Sequence, residues 1–231
     1  MKKFLTILIF LISFKAIHAF AYISEIKTNI NGDSYYEEAK FKKEEITKPF
    51  YFIRHGQTDV NKYGTVPENG DVPLNEEGIA QAKRAAELLR NKNIKIIISS
   101  PLIRAKQTAE IINKELNVTI IYHNGLKEAN RGKLLKENTD LKKIWAKGAK
   151  IPGAESLYEL QMRVHHSIKE LINKYDNALI VSHGVYFCNL TLLLNEECIY
   201  TKNAVPYHFS SLTANTNKKL YKITPLTTQS Q

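Results

Sequence analysis

The sequence predicts an α/β fold of three layers, helices on both faces of a mainly parallel sheet. Two observations carry this. From residue 50 onward, short apolar runs suited to buried strands alternate with longer stretches of helical spacing. Three of those runs end directly in arginine, histidine or serine beside glycine or proline, the mark of a strand that stops at a functional turn.

The elements follow in order. Phe50–Ile53 is an aromatic, apolar run and reads as the first buried strand. Asn75–Asn91 has helical spacing, with Ile79, Ala82, Ala86 and Leu89 near one face. Residues 94–99 hold four isoleucines and read as a second strand. Leu102–Leu116 is helical through Ala105, Ala109, Ile112 and Leu116. Val118–Tyr122 is a third strand. Leu157–Tyr175 is a helix begun by Ser156. Ala178–Ser182 is a fourth strand, Val185–Leu194 an apolar helix, and Ala204–Leu212 and Lys219–Ile223 closing strands.

Three parts precede or make up this body. Residues 1–21 carry a basic start (Lys2, Lys3), an apolar run from Phe4 to Phe14 and small residues near Ala19 and Ala21, the layout of a signal peptide for export. An uncleaved membrane anchor is the alternative, although the run is short for a span. Residues 22–48 are a polar lead-in, expected to be a linker with a short helix around Tyr35–Lys43. Residues 49–231 form one domain, long enough to bury its own core.

The net charge of +10 suits anionic partners: phosphorylated small molecules, a glycolipid, or an anionic envelope surface. No arginine-rich tract, zinc-finger spacing or RNA-binding signature accompanies it, so no nucleic acid partner is expected. Cys188 and Cys198 each lie in an apolar stretch, which favours two separate buried thiols over a pair. His165-His166 point about 100° apart on a helix and read as a surface feature, not a metal pair; no metal and no cofactor are expected.

The chemistry gathers at strand ends. The first strand runs into Arg54-His55-Gly56-Gln57-Thr58, with Asn61 beyond. The second ends in Ser99-Ser100-Pro101, with Arg104 on the next turn, and the fourth ends in Ser182-His183-Gly184. Arginine offers a planar, permanently charged donor fork to a phosphate group. A neutral imidazole can attack phosphorus and then leave. Two arginines and two histidines in one pocket therefore suit phosphoryl transfer, which depends on position and electrostatics.

Arg54-His55-Gly56-Gln57-Thr58 with Asn61 resembles the signature of the phosphoglycerate-mutase-like branch of the histidine phosphatase superfamily. Further blocks are similar to that family in the same order. They are Asp71-x-Pro73-Leu74-Asn75-x-x-Gly78-x-x-Gln81-Ala82, Ser99-Ser100-Pro101-Leu102-x-Arg104-Ala105-x-x-Thr108-Ala109, Pro152-Gly153-Ala154-Glu155-Ser156 and Val181-Ser182-His183-Gly184. The resemblance implies a phosphoglycerate mutase-like fold and a phosphohistidine on His55. It implies that Arg54, Arg104 and His183 hold the phosphoryl oxygens and that Asn61, Gln57 and Thr58 line the substrate site. Glu128 is placed as proton donor, with an ordinary loop acid as the alternative. Glu155 is either a substrate contact or a charge at a helix N-terminus.

The expected activity is hydrolysis of phosphomonoesters without a metal. Mutases of the family resemble Arg-His-Gly-Glu-Ser at the first block, where this chain has Gln57-Thr58, so a phosphoglycerate mutase is an alternative, as is a non-catalytic phosphate-binding protein. The export signal draws a likeness to periplasmic phosphatases acting on lipopolysaccharide core heptose. Substrate selection is expected from Tyr63–Val72 and Leu126–Gly153; their lysines, Lys127, Lys133, Lys136, Lys142, Lys143 and Lys147, read first as solvent-facing charge, with selective contacts as the alternative.

Overall fold

A computed structural model describes residues 23–28, 34–39, 46–64, 71–132, 152–195, 197–212 and 221–227. The export segment, most of the two substrate-selecting loops and five of their six lysines (all but Lys127) lie outside the described residues.

The strands are β1 (Ile23–Thr28), β2 (Ser34–Ala39), β3 (Phe50–Arg54), β4 (Ile96–Ser99), β5 (Thr119–Tyr122), β6 (Ala178–Ser182), β7 (Pro206–Ser211) and β8 (Tyr221–Pro225). The helices are α1 (Asp59–Tyr63), α2 (Glu76–Leu89), α3 (Ile103–Leu116), α4 (Leu157–Lys174) and α5 (Gly184–Asn195), with a 3₁₀ turn at Asn124–Leu126. β3 to β8 form one sheet in the order β5-β4-β6-β3-β7-β8. Its first four members run parallel, and β7 and β8 close the far edge antiparallel.

Alternation along the strands feeds two cores. Phe50, Phe52, Ile98 and Ile180 pack toward α4 and α5 against Leu160, Val164, Ile168, Tyr186, Phe187 and Leu190. Ile53, Ile97, Leu179 and Val181 face the other way, against Ala85, Ala86 and Leu89 of α2 and Ala105, Ala109 and Ile112 of α3. The small residues on α2 and α3 let both helices lie close to the sheet. This is the three-layer architecture expected from the sequence.

Several local expectations change. The lead-in holds a two-stranded antiparallel sheet, β1 with β2, where a linker and a helix near 35–43 were expected. Tyr35-Tyr36 favours a strand, and Asn31-Gly32 between the strands is a strong hairpin signal. Ile79 does not join the core: it is exposed, and Ala85 takes its place on the buried stripe. His165 is buried in α4, not on the surface, because its turn faces the sheet with Val164 and Ile168. Cys188 and Cys198 form a disulfide, with Cα atoms 4.5 Å apart, and both residues are half-buried. The bond ties the second turn of α5 to the segment that follows the helix.

Candidate active site

Strands β4, β6 and β3 are neighbours in the sheet, so their carboxyl ends share one edge. The register sets Arg54 opposite Ser182 and Ser99 opposite Val181. The ladder extends one residue further on each side, with His55 N–H donating to Ser182 O (3.0 Å) and Ser100 N–H to Val181 O (2.9 Å). That continuation brings His55, Ser100 and His183 to one level. The rings of His55 and His183 lie 5.2 Å apart, and both residues are buried.

Hydrogen bonds fix the state of His55. Its Nδ1 lies 2.7 Å from Gly56 O, and a carbonyl can only accept, so Nδ1 carries the proton. In the neutral ring Nε2 is then the bare nitrogen, and Arg104 Nε donates to it at 3.3 Å. Burial, reinforced by Arg104 and Arg54, pushes the imidazole pKa down to about 3, against a bond to Gly56 that raises it. At neutral pH the ring holds an unprotonated nitrogen beside a guanidinium, as a nucleophile for phosphorus requires.

His183 differs. It is wholly buried, and its Nε2 lies 2.8 Å from Ser100 Oγ. Its pKa falls well below the ordinary value, first through burial and then through the positive potential around it, including Arg104 and Arg54. Among the described residues its Nδ1 has no hydrogen-bond partner, nor has Nε of Arg54. Buried polar atoms are nearly always satisfied. Two orphans within a pocket of two arginines mark a place where an anion with several acceptor oxygens would fit.

Burial also lowers the pKa of both guanidiniums, and Glu128 counteracts this in each. Glu128 thus stands within electrostatic reach of Arg54 and Arg104. Its Oε1 accepts from Ala129 N–H (3.0 Å) and Tyr186 N–H (3.1 Å), and its Oε2 from Val185 N–H (3.2 Å). The last two donors belong to the first turn of α5, whose dipole favours a negative group. Arg54 Nη1 donates to Thr201 O at 3.0 Å, and Arg104 pairs with Asp71 at 3.5 Å.

The other expected site residues serve the frame. Thr58 caps α1 through a reciprocal box with Asn61. Asn61 Oδ1 also accepts from Asn203. Gln57 accepts from Asn75 through its side chain and donates its N–H to Gln81. Both oxygens of Glu155 are taken by Arg163, at 2.6 and 2.7 Å, and Oε2 also accepts from Asn130 N–H. Arg163 in turn donates to the carbonyls of Gly125 and Lys127 (2.9 and 2.8 Å), so the pair braces the turn that presents Glu128. Among the described residues no group of three or more His, Cys, Asp or Glu could hold a metal ion.

Sequence reasoning passed over Ser100, Asp71, Thr108, Arg163, Thr201 and Asn203. Thr108 joins two blocks, accepting from Gly56 N–H and donating to Arg104 O. Asp71 caps α3 and faces Arg104. Those two and Ser100 stood inside the quoted blocks, where a question about hydrogen-bond partners would have found them. Arg163 and the 201–203 segment carry no motif.

Residues 50–200 match the model of the histidine phosphatase superfamily, branch 1. The chain belongs to that superfamily. Among its curated relatives, a probable phosphoglycerate mutase of Yersinia pestis (strain Pestoides F) is 36% identical over 160 residues, covering 62% of this chain and 74% of the relative. The fold matches a putative alpha-ribazole-5'-P phosphatase from Escherichia coli K-12 with a TM-score of 0.65 at 22% identity, over 78% of this chain and 96% of that one. It also matches the mycobacterial glucosyl-3-phosphoglycerate phosphatase with a TM-score of 0.63 at 21% identity, over 77% of this chain and 97% of that one. Both of these phosphatase structures thus share the fold of this chain.

Proposed function

We propose that the chain is a phosphomonoesterase that works through a phosphohistidine on His55 and needs no metal. The observation that carries this reading is the bare Nε2 of His55 beside Arg104, with Nδ1 locked on Gly56 O. Nε2 attacks phosphorus, the P–O ester bond breaks, and the leaving oxygen takes a proton that the phosphomonoester monoanion brings and Glu128 relays. Arg54, Arg104 and His183 hold the phosphoryl oxygens meanwhile. Water, deprotonated by Glu128, then attacks the phosphohistidine, the P–N bond breaks, and phosphate departs with Nε2 bare again. The arginines supply the positive charge that a metal gives in other phosphoryl-transfer sites.

The substrate class we favour is a sugar phosphate or a phosphorylated envelope glycolipid, met outside the cytoplasm. The signal-like N-terminus, the basic surface and a disulfide, which persists in oxidising compartments, support export to the periplasm or medium. A mutase reading is kept because a curated relative is named a probable phosphoglycerate mutase. In that case the phosphoryl group would pass from His55 back to a phosphoglycerate instead of to water.

The test is phosphate release from p-nitrophenyl phosphate and a panel of sugar phosphates, with EDTA present. Release equal with and without EDTA, with acid-labile phosphate trapped on His55, is expected. Activity that EDTA abolishes, or that proceeds without phosphohistidine, would overturn the mechanism. Return of the label to phosphoglycerate faster than to water would replace hydrolysis with mutase chemistry.

A further inference from the structure

The segment from Cys198 to Ala204 lies between α5 and β7 without regular secondary structure, yet it makes three hydrogen bonds to Arg54 and His55 at the end of β3 and a fourth to Asn61 in α1. Thr201 O accepts from Arg54 Nη1 (3.0 Å), and Ala204 N–H donates to Arg54 O (3.0 Å). The side-chain amide of Asn203 donates to His55 O and to Asn61 Oδ1, each at 3.0 Å. One short stretch therefore holds the guanidinium and backbone of Arg54, the backbone of the nucleophile, and the cap of α1.

Little in the segment would hold this shape alone. Ala204 adopts φ +50, a left-handed conformation that a residue with Cβ keeps only when its surroundings impose it. The bond from Ala204 N–H to Arg54 O holds that end of the segment, and two ties to α5 hold the other. Ile199 N–H donates to Thr191 Oγ1 (2.9 Å), and the Cys188–Cys198 disulfide fastens the start of the segment covalently. α5 is itself fixed to the site, since its first amides hold Glu128.

We propose that the disulfide-tethered segment Cys198–Ala204 positions Arg54 and His55 for phosphoryl transfer, that Asn203 is a positioning residue, and that turnover depends on the Cys188–Cys198 bond. The inference rests on the proposed phosphatase reading only for its activity readout. Reduction by dithiothreitol adds two electrons and two protons to the disulfide, gives two thiols and leaves the reagent as its cyclic disulfide. The segment then loses its covalent tie to α5, and the turn that bears His55 loses rigidity while its chemistry stays intact. Positioning losses of this kind act on kcat.

The experiment compares the full chain oxidised, reduced and reoxidised, beside the Cys188→Ser/Cys198→Ser double variant, Asn203→Ala and Asn203→Asp. It reads kcat and KM, orthovanadate affinity, and hydrogen exchange over residues 54–61. Reduction is expected to lower kcat about tenfold with KM changed less than about twofold. Exchange over 54–61 should rise, and reoxidation should restore both. The double variant should match the reduced wild type and ignore dithiothreitol. Asn203→Asp fills the same space but lacks the donor, so it should lose as much kcat as Asn203→Ala; wild-type turnover in Asn203→Asp would overturn the role of Asn203. Equal kcat, vanadate affinity and exchange in oxidised and reduced wild type would overturn the tether, whether or not the double variant folds. If the oxidised protein releases phosphate from no ester, the phosphatase reading fails, and vanadate affinity with hydrogen exchange still decides the tether.

Discussion

His55 and His183 occupy matching places, each one residue past the end of a parallel strand, on strands that are paired neighbours. Both rings are buried, and both are kept neutral by burial and the surrounding arginines. Their partners separate them. His55 spends its proton on Gly56 O and turns a bare nitrogen to Arg104, whereas His183 bonds Ser100 and leaves Nδ1 unsatisfied. On the proposed mechanism the same side chain at the same address serves as attacking group in one case and holder of oxygens in the other, and the atoms that would decide it are a carbonyl and a hydroxyl.

The largest effects should fall on this contrast. His55→Ala is expected to lower kcat on the order of 10⁴-fold or more and to abolish phosphohistidine. His183→Gln should lower kcat about 10³-fold while the slow residual reaction still labels His55. Quench-flow trapping with acid-labile counting distinguishes the two, and labelling of His183 in place of His55 would invert the comparison. Glu128→Gln should cost about 10²-fold on an alkyl phosphate but much less on p-nitrophenyl phosphate, whose phenolate needs little protonation. An equal loss on both esters would assign Glu128 to the frame alone.

Ser100→Ala is expected to lower kcat about tenfold, because His183 loses the bond that orients its ring, with His55 labelling retained. The smallest effect is on stability. His55 binds its proton only near pH 3, whereas the unfolded chain binds it near 6.5. Below 6.5 the unfolded state holds more protons, so stability is full above that pH and falls as pH drops toward 3. His55 alone should account for roughly 2–3 kcal/mol between pH 6.5 and about pH 4.5. Urea denaturation at both pH values, wild type against His55→Asn, measures it; equal slopes for the two would show that His55 is not the buried neutral group.

The layered sheet was legible in the sequence because strands buried on both faces read as unbroken apolar runs, as in Ile96–Ile98 and Ala178–Val181. That Arg54, His55, Arg104 and His183 gather at one place was legible because strand ends are where such folds place chemistry. The roles within the quoted blocks were less so. Gln57 and Thr58 stood as substrate contacts, yet their polar groups are met by Gln81, Asn75 and Asn61. Glu155 hides a bidentate partner eight residues on, one helical face away, which no pattern announces. The disulfide escaped because pairing depends on the distance between two Cα atoms, and apolar neighbours describe only the medium around them. The lead-in strands escaped because polar residues conceal a hairpin whose pairing partner supplies the order.

One contact in the second block carries a lesson for anyone altering this protein. A Cβ at Gly56 would come within 2.4 Å of Gly78 O, and one at Gly78 within 2.0 Å of Gln57 O. Two backbones cross there with no room for a methyl group. The opening turn of α2 is thereby pressed against the loop that bears His55. Libraries of variants that treat α2 as an outer helix open to redesign would find its core-facing Ala85, Ala86 and Leu89 constrained by packing and this position closed by backbone. A loss of turnover mapped to Gly78 would then report the seating of His55, even though no atom of that glycine meets a substrate.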